Sequence, residues 1–407
     1  MPRARVTAIP VLACAVTAAF AIGCNFVLGL GDVPIPADAA STSDGTIAPS
    51  ADAGVDASAH DGSLAEGGTA TTGDATTPEG GTACNSQNTQ NDPASCGRCG
   101  HSCLGGGCSL GACQPFALVS VDSGAAPSSL AQDDSYLYWT DAFAQGTIHR
   151  VDKLSGTDSV LVTQSDFPSA IAVDDIALYF GDSNGLWRSS KTSAATPTLV
   201  ASVAEGAPTG LAIDDAGLYW AEGTGYVYAA HKLGSNETGS PIWEGDAETA
   251  EVASDGQRVY FTADDGLLHV VSVDGGASLS LGSPDPAGSF GIALSAGDVF
   301  WTVYDPTNGE VLAASTTALA TQPIAVEQQQ PAAVASDGVI VYWANTRDFE
   351  SGTSEICSCV LGDCSTVTVV GQGFSDPTAI VVDSTAIYGI DRQPTLGSNG
   401  AVWEIAR

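Results

Sequence analysis

Seven related β units between residues 115 and 407 predict an all-β protein whose main domain is a β-propeller. An aromatic residue in the second strand of each unit recurs about every 40 residues, from Tyr138 to Tyr388. A period of this length, built from several short β segments, is typical of propeller blades. Helical repeats of similar length would instead show an apolar rhythm of 3.6 residues, and the units show none.

Each unit begins with a small apolar strand, such as 171–173, which suits the crowded innermost position of a blade. A turn at Asp or Gly leads into a strand with an aromatic pair, and a second turn leads to a third strand such as 146–152 (GTIHRVD). A fourth strand is visible in segments such as 197–202 (PTLVAS). The two aromatic rings alternate across the strand, so we expect one in each layer between neighbouring sheets. The leading aromatic residues are Tyr138, Tyr179, Tyr219, Tyr260, Phe300, Tyr342 and Tyr388.

The ring is expected to close through a strand that precedes the first unit. The chain ends at Arg407, directly after the third strand of the seventh unit, which therefore lacks its outer strand. Residues 116–121 (FALVSV) have no partner of their own and can supply it, leaving no sheet edge open. The sequence thus predicts seven blades, with six and eight as alternatives.

The aromatic motif resembles the YWTD repeats of low-density-lipoprotein-receptor-type propellers. Residues Tyr138 to Asp141 match those four letters, and Asp182, Glu222, Asn345 and Asp391 keep a polar residue at the fourth position, while Ala263 and Val303 do not. The resemblance implies a propeller with a binding role and names no ligand. That family usually forms six blades, so the predicted count departs from it.

The charge of the chain limits its partners. Lys and Arg together number 12 against 47 Asp and Glu, which gives a formal net charge of −35. Such a surface repels nucleic acid and bare anionic lipid, and it favours cations or basic partners. We therefore expect no nucleic-acid ligand and contact with a membrane only through a lipid anchor.

Residues 1–23 have the layout of a secretory signal peptide, with Arg3 and Arg5 before an apolar run. The ending Ala-Ile-Gly-Cys resembles a bacterial lipobox and implies that Cys24 carries the lipid after cleavage. The alternatives are a short transmembrane anchor and a plain secretion signal. Residues 24–83 are rich in small and acidic residues without apolar periodicity, which predicts a disordered tether.

Residues 84–114 are predicted to form a small disulfide-rich module, because so short a segment cannot bury a stabilising core. In an exported chain an even number of cysteines indicates three disulfides, whose pairing the sequence leaves open. The alternative is a zinc site made by Cys96, Cys99, Cys103 and His101. The pattern CGxCGxxC resembles stigma-specific-type modules, and the order of lipobox, tether, module and propeller resembles myxobacterial lipoproteins. The six cysteines are Cys84, Cys96, Cys99, Cys103, Cys108 and Cys113.

Three more cysteines lie in the sixth unit. Cys359 and Cys364 flank a turn and are expected to close a hairpin disulfide. Cys357 is then left as a thiol, or it joins the module or another chain.

An Asp begins the turn after the first strand in six of the seven units. A ring of carboxylates can hold Ca²⁺, but Asp also accepts backbone hydrogen bonds in tight turns, and repetition in nearly every blade favours the turn. The six residues are Asp133, Asp174, Asp214, Asp255, Asp337 and Asp383. The histidines of the units, His149, His231 and His269, follow the leading aromatic at unlike distances and are interpreted as surface or edge residues without a catalytic role.

The sequence predicts an envelope-anchored lipoprotein, expected to be a monomer, that displays a β-propeller on the cell surface or outer membrane to bind a protein or glycan. No catalysis, cofactor or metal is expected, and the binding residues stay unassigned. The sixth unit, at 344–364, departs most from the repeat and is the first place to look for a contact. One alternative is a hydrolase-like metalloenzyme with a metal in the central channel, held by unlike ligands from at least three blades. The other is a structural component of the envelope.

Overall fold

A computed structural model describes residues 88–121, 126–204, 206–215, 217–285, 287–346, 354–392 and 400–407. The signal peptide, Cys24, the tether and Cys84 lie outside these residues. One short 3₁₀ turn, Asn88–Gln90, precedes an otherwise all-β chain. Among the described residues no helix is long and apolar enough to span a bilayer.

The prediction of seven blades is confirmed, because seven antiparallel sheets of four main strands follow one another along the chain. The first, innermost strands are Pro127–Gln132, Ala170–Val173, Pro208–Ile213, Thr249–Ser254, Ser289–Ser295, Pro331–Ser336 and Pro377–Val382. The second strands are Tyr136–Asp141, Ala177–Asp182, Gly217–Glu222, Arg258–Ala263, Asp298–Val303, Ile340–Asn345 and Ala386–Asp391. The third strands are Gly146–Asp152, Gly185–Ser190, Tyr226–His231, Leu268–Ser272, Gly309–Ser315, Ser354–Val360 and Gly400–Ala406.

The outer strand of blade seven comes from the beginning of the domain. Phe116–Val121 pairs antiparallel with Gly400–Ala406, so the two ends of the ring are joined in one sheet as the sequence predicts. Blade two gains a short fifth strand, Glu237–Thr238, parallel to its outer strand. The fourth strands are Asp158–Ser165, Thr198–Ser202, Ser240–Glu244, Leu279–Leu281, Thr321–Gln328, Asp363–Phe374 and, in blade seven, Phe116–Val121.

The core of the propeller lies between neighbouring sheets and is built by the aromatic pair. Tyr138 packs with Leu178 and Phe180 of blade two, whereas the adjacent Trp139 packs with Tyr388 of blade seven. The same alternation recurs around the ring, and the pair supplies most of the largest fully buried side chains. Since truncating a buried aromatic side chain costs about 3–5 kcal/mol, this pair is the main reason why the repeat is visible in the sequence.

The cysteine-rich module contains the short strands Cys108–Ser109 and Ala112–Cys113. Disulfides join Cys96 to Cys108 and Cys103 to Cys113, and Cys99 is also disulfide-bonded. The zinc alternative is therefore wrong, since the sulfurs it requires are oxidised. The module shares a buried cluster with blades six and seven, including Phe374 and Trp403.

In blade six a disulfide joins Cys359 to Cys364 across the turn between the third and fourth strands. Cys357 is a buried thiol. Its sulfur lies 3.5 Å from Nδ2 of Asn345 and 3.7 Å from Oε1 of Glu355. A covalent link from Cys357 to the module or to another chain would require this buried sulfur to be exposed.

Candidate binding site in the central channel

Antiparallel strands give the propeller two chemically different faces. The turns between first and second strands and between third and fourth strands lie on one face, here called the clasp face. The connections between second and third strands and those from one blade to the next lie on the other, here called the loop face.

On the clasp face, the Asp that recurs in six of the seven turns binds its own backbone. Asp133 Oδ1 accepts the N–H groups of Ser135 and Tyr136 at 3.0 and 2.9 Å, and its Oδ2 accepts the hydroxyl of Tyr138 at 2.8 Å. Burial opposes ionisation of Asp133, but these donors and Lys191 outweigh it and lower its pKa. Two backbone N–H groups are bound in the same way by Asp174, Asp255, Asp337 and Asp383.

A cation from the following blade completes four of these turns. Lys191 Nζ lies 3.0 Å from Asp133 Oδ2, and Lys153 Nζ lies 2.8 Å from Asp383 Oδ2. Each cation comes directly after a third strand and reaches back to the previous blade, so the ion pair joins two sheets. All three lysines of the chain serve in this way. The four pairs, here called clasps, are Lys153–Asp383, Lys191–Asp133, Lys232–Asp174 and Arg407–Asp337.

The turn hydrogen bonds and the clasps together give the repeated Asp a structural role that does not depend on a metal ion. The carboxylate oxygens that the calcium hypothesis would use already accept hydrogen bonds from the turn, from a tyrosine or from a clasp. The arrangement therefore favours the turn interpretation, and it gives the clasp face a structural role.

On the loop face, the third and fourth residues of the aromatic motif bind the backbone at and just before the start of the first strand of the same blade. Thr140 Oγ1 accepts the N–H of Ser129 at 3.0 Å, and Asp141 Oδ1 accepts the N–H of Ala126 at 2.7 Å. Thr262 and Thr302 repeat the first of these bonds in blades four and five. The polar letters of the motif thus serve folding, as the aromatic letters do.

The interpretation of the histidines as surface or edge residues is wrong for His269, whose side chain is buried. His149 and His269 each pair across the sheet with the second aromatic residue of their blade, Trp139 and Phe261, and stack on it. They therefore share a register, which unlike loop lengths conceal in the sequence. Their contact with the aromatic pair indicates packing, whereas His231 is exposed.

The first strands of all seven blades enclose a cavity of about 240 Å³ in the central channel. Its wall is made mostly of small, hydroxyl and aliphatic side chains, together with Phe290. Neighbouring first strands approach each other closely at one position of the repeat. This position is the residue directly before the apolar residue with which each repeat begins. A Cβ added to Gly210 would lie 2.8 Å from the Cα atom of Glu251, and one added to Gly291 would lie 2.8 Å from the Cα atom of Ala333.

Glu251 is the exception to this pattern of small residues. Across the blades, this position holds Ser129, Ala170, Gly210, Glu251, Gly291, Ala333 and Ala379. The side chain of Glu251 is exposed to the channel, yet protein surrounds it on every side. This enclosure raises its pKa to about 8, so the group is mostly protonated at neutral pH. No hydrogen bond or ion pair to this carboxyl group comes from the described residues.

Blade seven supplies two further polar groups to the same cavity. Thr378 Oγ1 and Arg392 Nε are buried and have no hydrogen-bond partner among the residues that the structure describes. Arg392 lies on the loop face, where its backbone N–H donates to the backbone carbonyl oxygen of Asp376 at 2.9 Å. Burial raises the pKa of Asp376, and the nearby guanidinium opposes that rise.

The described wall of the cavity offers one carboxylate, from blade four, and no histidine or cysteine. The metalloenzyme alternative requires unlike ligands from at least three blades, so these residues do not form the set it needs. Within the described residues, the cluster of possible metal ligands consists of Cys96, Cys103 and Cys113, which are disulfide-bonded.

The sequence reasoning missed Glu251, although the repeat contained the signal. A site is expected where a blade departs from the pattern, and aligning one residue further towards the N-terminus would have shown one glutamate among serines, alanines and glycines. Nothing in the repeat distinguishes Thr378 or Arg392, since the lack of a hydrogen-bond partner for each depends on the packing around it.

Comparison with known proteins supports the fold. No protein-family model and no curated protein sequence matches the chain. Among solved structures, U3-55K is similar with a TM-score of 0.59 at 12% identity, covering 72% of this chain and 98% of that one. The RRP9 WD40 repeats give 0.58 at 12% identity, with the same coverage. A chain of the Mitotic Checkpoint Complex gives 0.56 at 11% identity, covering 72% of this chain and 95% of that one. The chain is thus a seven-bladed β-propeller with a disulfide-rich segment before it.

Proposed function

We propose that this protein is a lipoprotein of a bacterial cell envelope whose propeller binds a protein or glycan through its loop face. The observation that carries the proposal is the difference in length among the loop-face connections. The connection between second and third strands is 183–184 in blade two but 346–353 in blade six and 392–399 in blade seven. The two long connections belong to neighbouring blades and join their strands at the same face of the propeller.

The propeller scaffold supports a binding role, because rigid sheets hold variable connections in fixed positions. One similar structure belongs to a multiprotein assembly, the Mitotic Checkpoint Complex, which supports a protein as ligand. The lipobox-like residues before Cys24 support the envelope anchor.

Anchoring is tested by growing cells that express the full chain with a labelled fatty acid. We expect label on the wild-type protein and none on Cys24→Ala, which should move from the membrane fraction to the soluble fraction. An unlabelled wild type, or a Cys24→Ala variant that stays membrane-bound, would contradict the anchor.

Binding is tested with isolated envelope fractions, separated into outer-membrane vesicles and cell-wall sacculi. Replacing residues 346–353 with the short connection Ser183–Asn184 of blade two should weaken retention of the protein. The matched control deletes residues 194–196 from an exposed connection on the clasp face and should retain full binding. Equal retention of both variants would remove the loop face as the binding surface.

A further inference from the structure

Three polar groups in the central channel have no partner within the described protein: the Glu251 carboxyl, Thr378 Oγ1 and Arg392 Nε. Thr378 Oγ1 and Arg392 Nε are buried, and leaving a buried donor or acceptor unsatisfied costs about 1–3 kcal/mol. Groups left so are usually bonded to water or to a ligand. All three line one cavity, and they come from blades four and seven.

Glu251 has no structural task that would explain its presence. Six blades fill the equivalent position with Ser, Ala or Gly, and the ring of first strands closes with those residues. Clasp-face carboxylates are bonded to their own turns, whereas the Glu251 carboxyl has no such bond from the described residues. The chain therefore carries a carboxyl group at a position where its other six blades have a small, uncharged residue.

The charge of the surroundings decides what such a site can hold. A small anion is repelled by a chain with a net charge of −35. A cation would be repelled by the Arg392 guanidinium, which also lines the cavity. Binding a cation would also require Glu251 to lose its proton. An uncharged ligand with several hydroxyl groups avoids both costs, and because hydroxyls both donate and accept they match the hydrogen-bonding chemistry of all three groups.

The size and lining of the cavity fit such a ligand. Its volume of about 240 Å³ is below the ~300–1,000 Å³ typical of pockets for drug-sized molecules. Hydroxyl side chains at Ser128, Ser129 and Thr209 lie along the wall, and Phe290 offers a flat apolar surface against which the C–H face of a sugar ring can pack.

We propose that the central channel is a binding site for a small, uncharged polyhydroxylated ligand of about one sugar ring, with Glu251 opposite Thr378 and Arg392 as its polar anchors. The site includes Arg392, the first residue of the long blade-seven connection, but none of the residues that line it belongs to connection 346–353.

The test uses saturation-transfer NMR on the full-length protein with D-glucose, D-galactose and myo-inositol as probes, and with acetate and tetramethylammonium as charged probes. We expect at least one polyol to bind and neither charged probe to do so. Glu251→Ala installs the residue that Ala170, Ala333 and Ala379 provide in other blades, so it should fold normally and weaken binding about tenfold. Glu251→Gln keeps a neutral donor and acceptor and should stay within about threefold of the wild type.

Thr378→Val supplies a second variant on the opposite wall, since it keeps the shape and removes the hydroxyl. It should weaken the same polyol several-fold without lowering the melting temperature. The proposal is overturned if no polyol binds, if polyol binding is unchanged in both Glu251→Ala and Thr378→Val, or if tetramethylammonium binds and Glu251→Gln abolishes it. Shortening residues 346–353 should leave polyol binding intact, which separates this site from the loop-face contact.

Discussion

The two faces of the propeller use their polar side chains in opposite ways. On the clasp face, carboxylates such as Asp133 and Asp383 bond to their own turns and to a lysine of the next blade. At the channel, Glu251 has no partner among the described residues, and Thr378 and Arg392 each have an unsatisfied atom. On these two surfaces, the groups that recur in the repeat have their hydrogen-bonding capacity filled, whereas the groups of the candidate site depart from the repeat or have unmet hydrogen-bonding capacity.

The structural role of the clasp face is tested most strongly by removing one of its carboxylates. Asp133→Ala leaves the N–H groups of Ser135 and Tyr136, the hydroxyl of Tyr138 and the ammonium of Lys191 without their acceptor. We expect a loss of about 3 kcal/mol in the free energy of unfolding, measured by urea denaturation. The adjacent exposed Asp134→Ala is the control and should be close to neutral. Equal effects of the two changes would mean that the turn carboxylate has no special role.

Acid should weaken the clasp face before the rest of the fold. Burial opposes ionisation of Asp383, but Lys153 and the turn N–H groups outweigh it and lower its pKa to about 2. A carboxyl group with a lowered pKa in the folded state stabilises the fold above its unfolded pKa and loses that effect as the pH falls. Asp383→Asn should therefore be less stable than the wild type at pH 7, and the difference should shrink between about pH 4 and 2. A difference that stays constant across this window would contradict the role given to the charge.

Removing a clasp cation should cost less than removing its carboxylate. The side chain of Lys153 is only 8% exposed and bonds to Asp383 and Gln132. Lys153→Met keeps the aliphatic stem and leaves the turn bonds of Asp383 in place, so we expect a loss of about 1 kcal/mol. The loss should shrink at high salt, because an ion pair that is partly accessible is screened. Arg98→Met, at an exposed position in the cysteine-rich module, is the control and should have no measurable effect.

The effect expected at Glu251 has the opposite sign. Enclosure raises the pKa of this carboxyl to about 8, so ionisation opposes folding. Its stabilising contribution is complete below the unfolded pKa of about 4.3 and is lost as the pH rises to about 8. Glu251→Gln should therefore gain stability relative to the wild type across that range, as followed by melting temperatures at successive pH values. A constant difference would indicate that Glu251 titrates as an ordinary surface carboxyl.

The sequence predicted the seven blades, the closing strand 116–121 and the aromatic layers, because these follow from period and alternation. It did not find the clasps, since Lys153 and Asp383 are far apart in the chain and only ring closure brings them together. It also concealed that His149 and His269 occupy equivalent positions in their blades, because the loop lengths differ while the strand register does not. Thr378 and Arg392 were missed because a missing hydrogen bond has no signature in a sequence, whereas Glu251 was visible as the single glutamate at its position in the repeat.

The most direct test of a functional loop face and a structural clasp face is site-specific photocrosslinking in cells that make the protein naturally. The crosslinker is placed at the exposed Asn308 on the loop face or at Val339, which is 61% exposed on the clasp face. We expect a discrete crosslinked partner from position 308 and none from position 339. A partner captured from position 339 alone would contradict the assignment of the two faces.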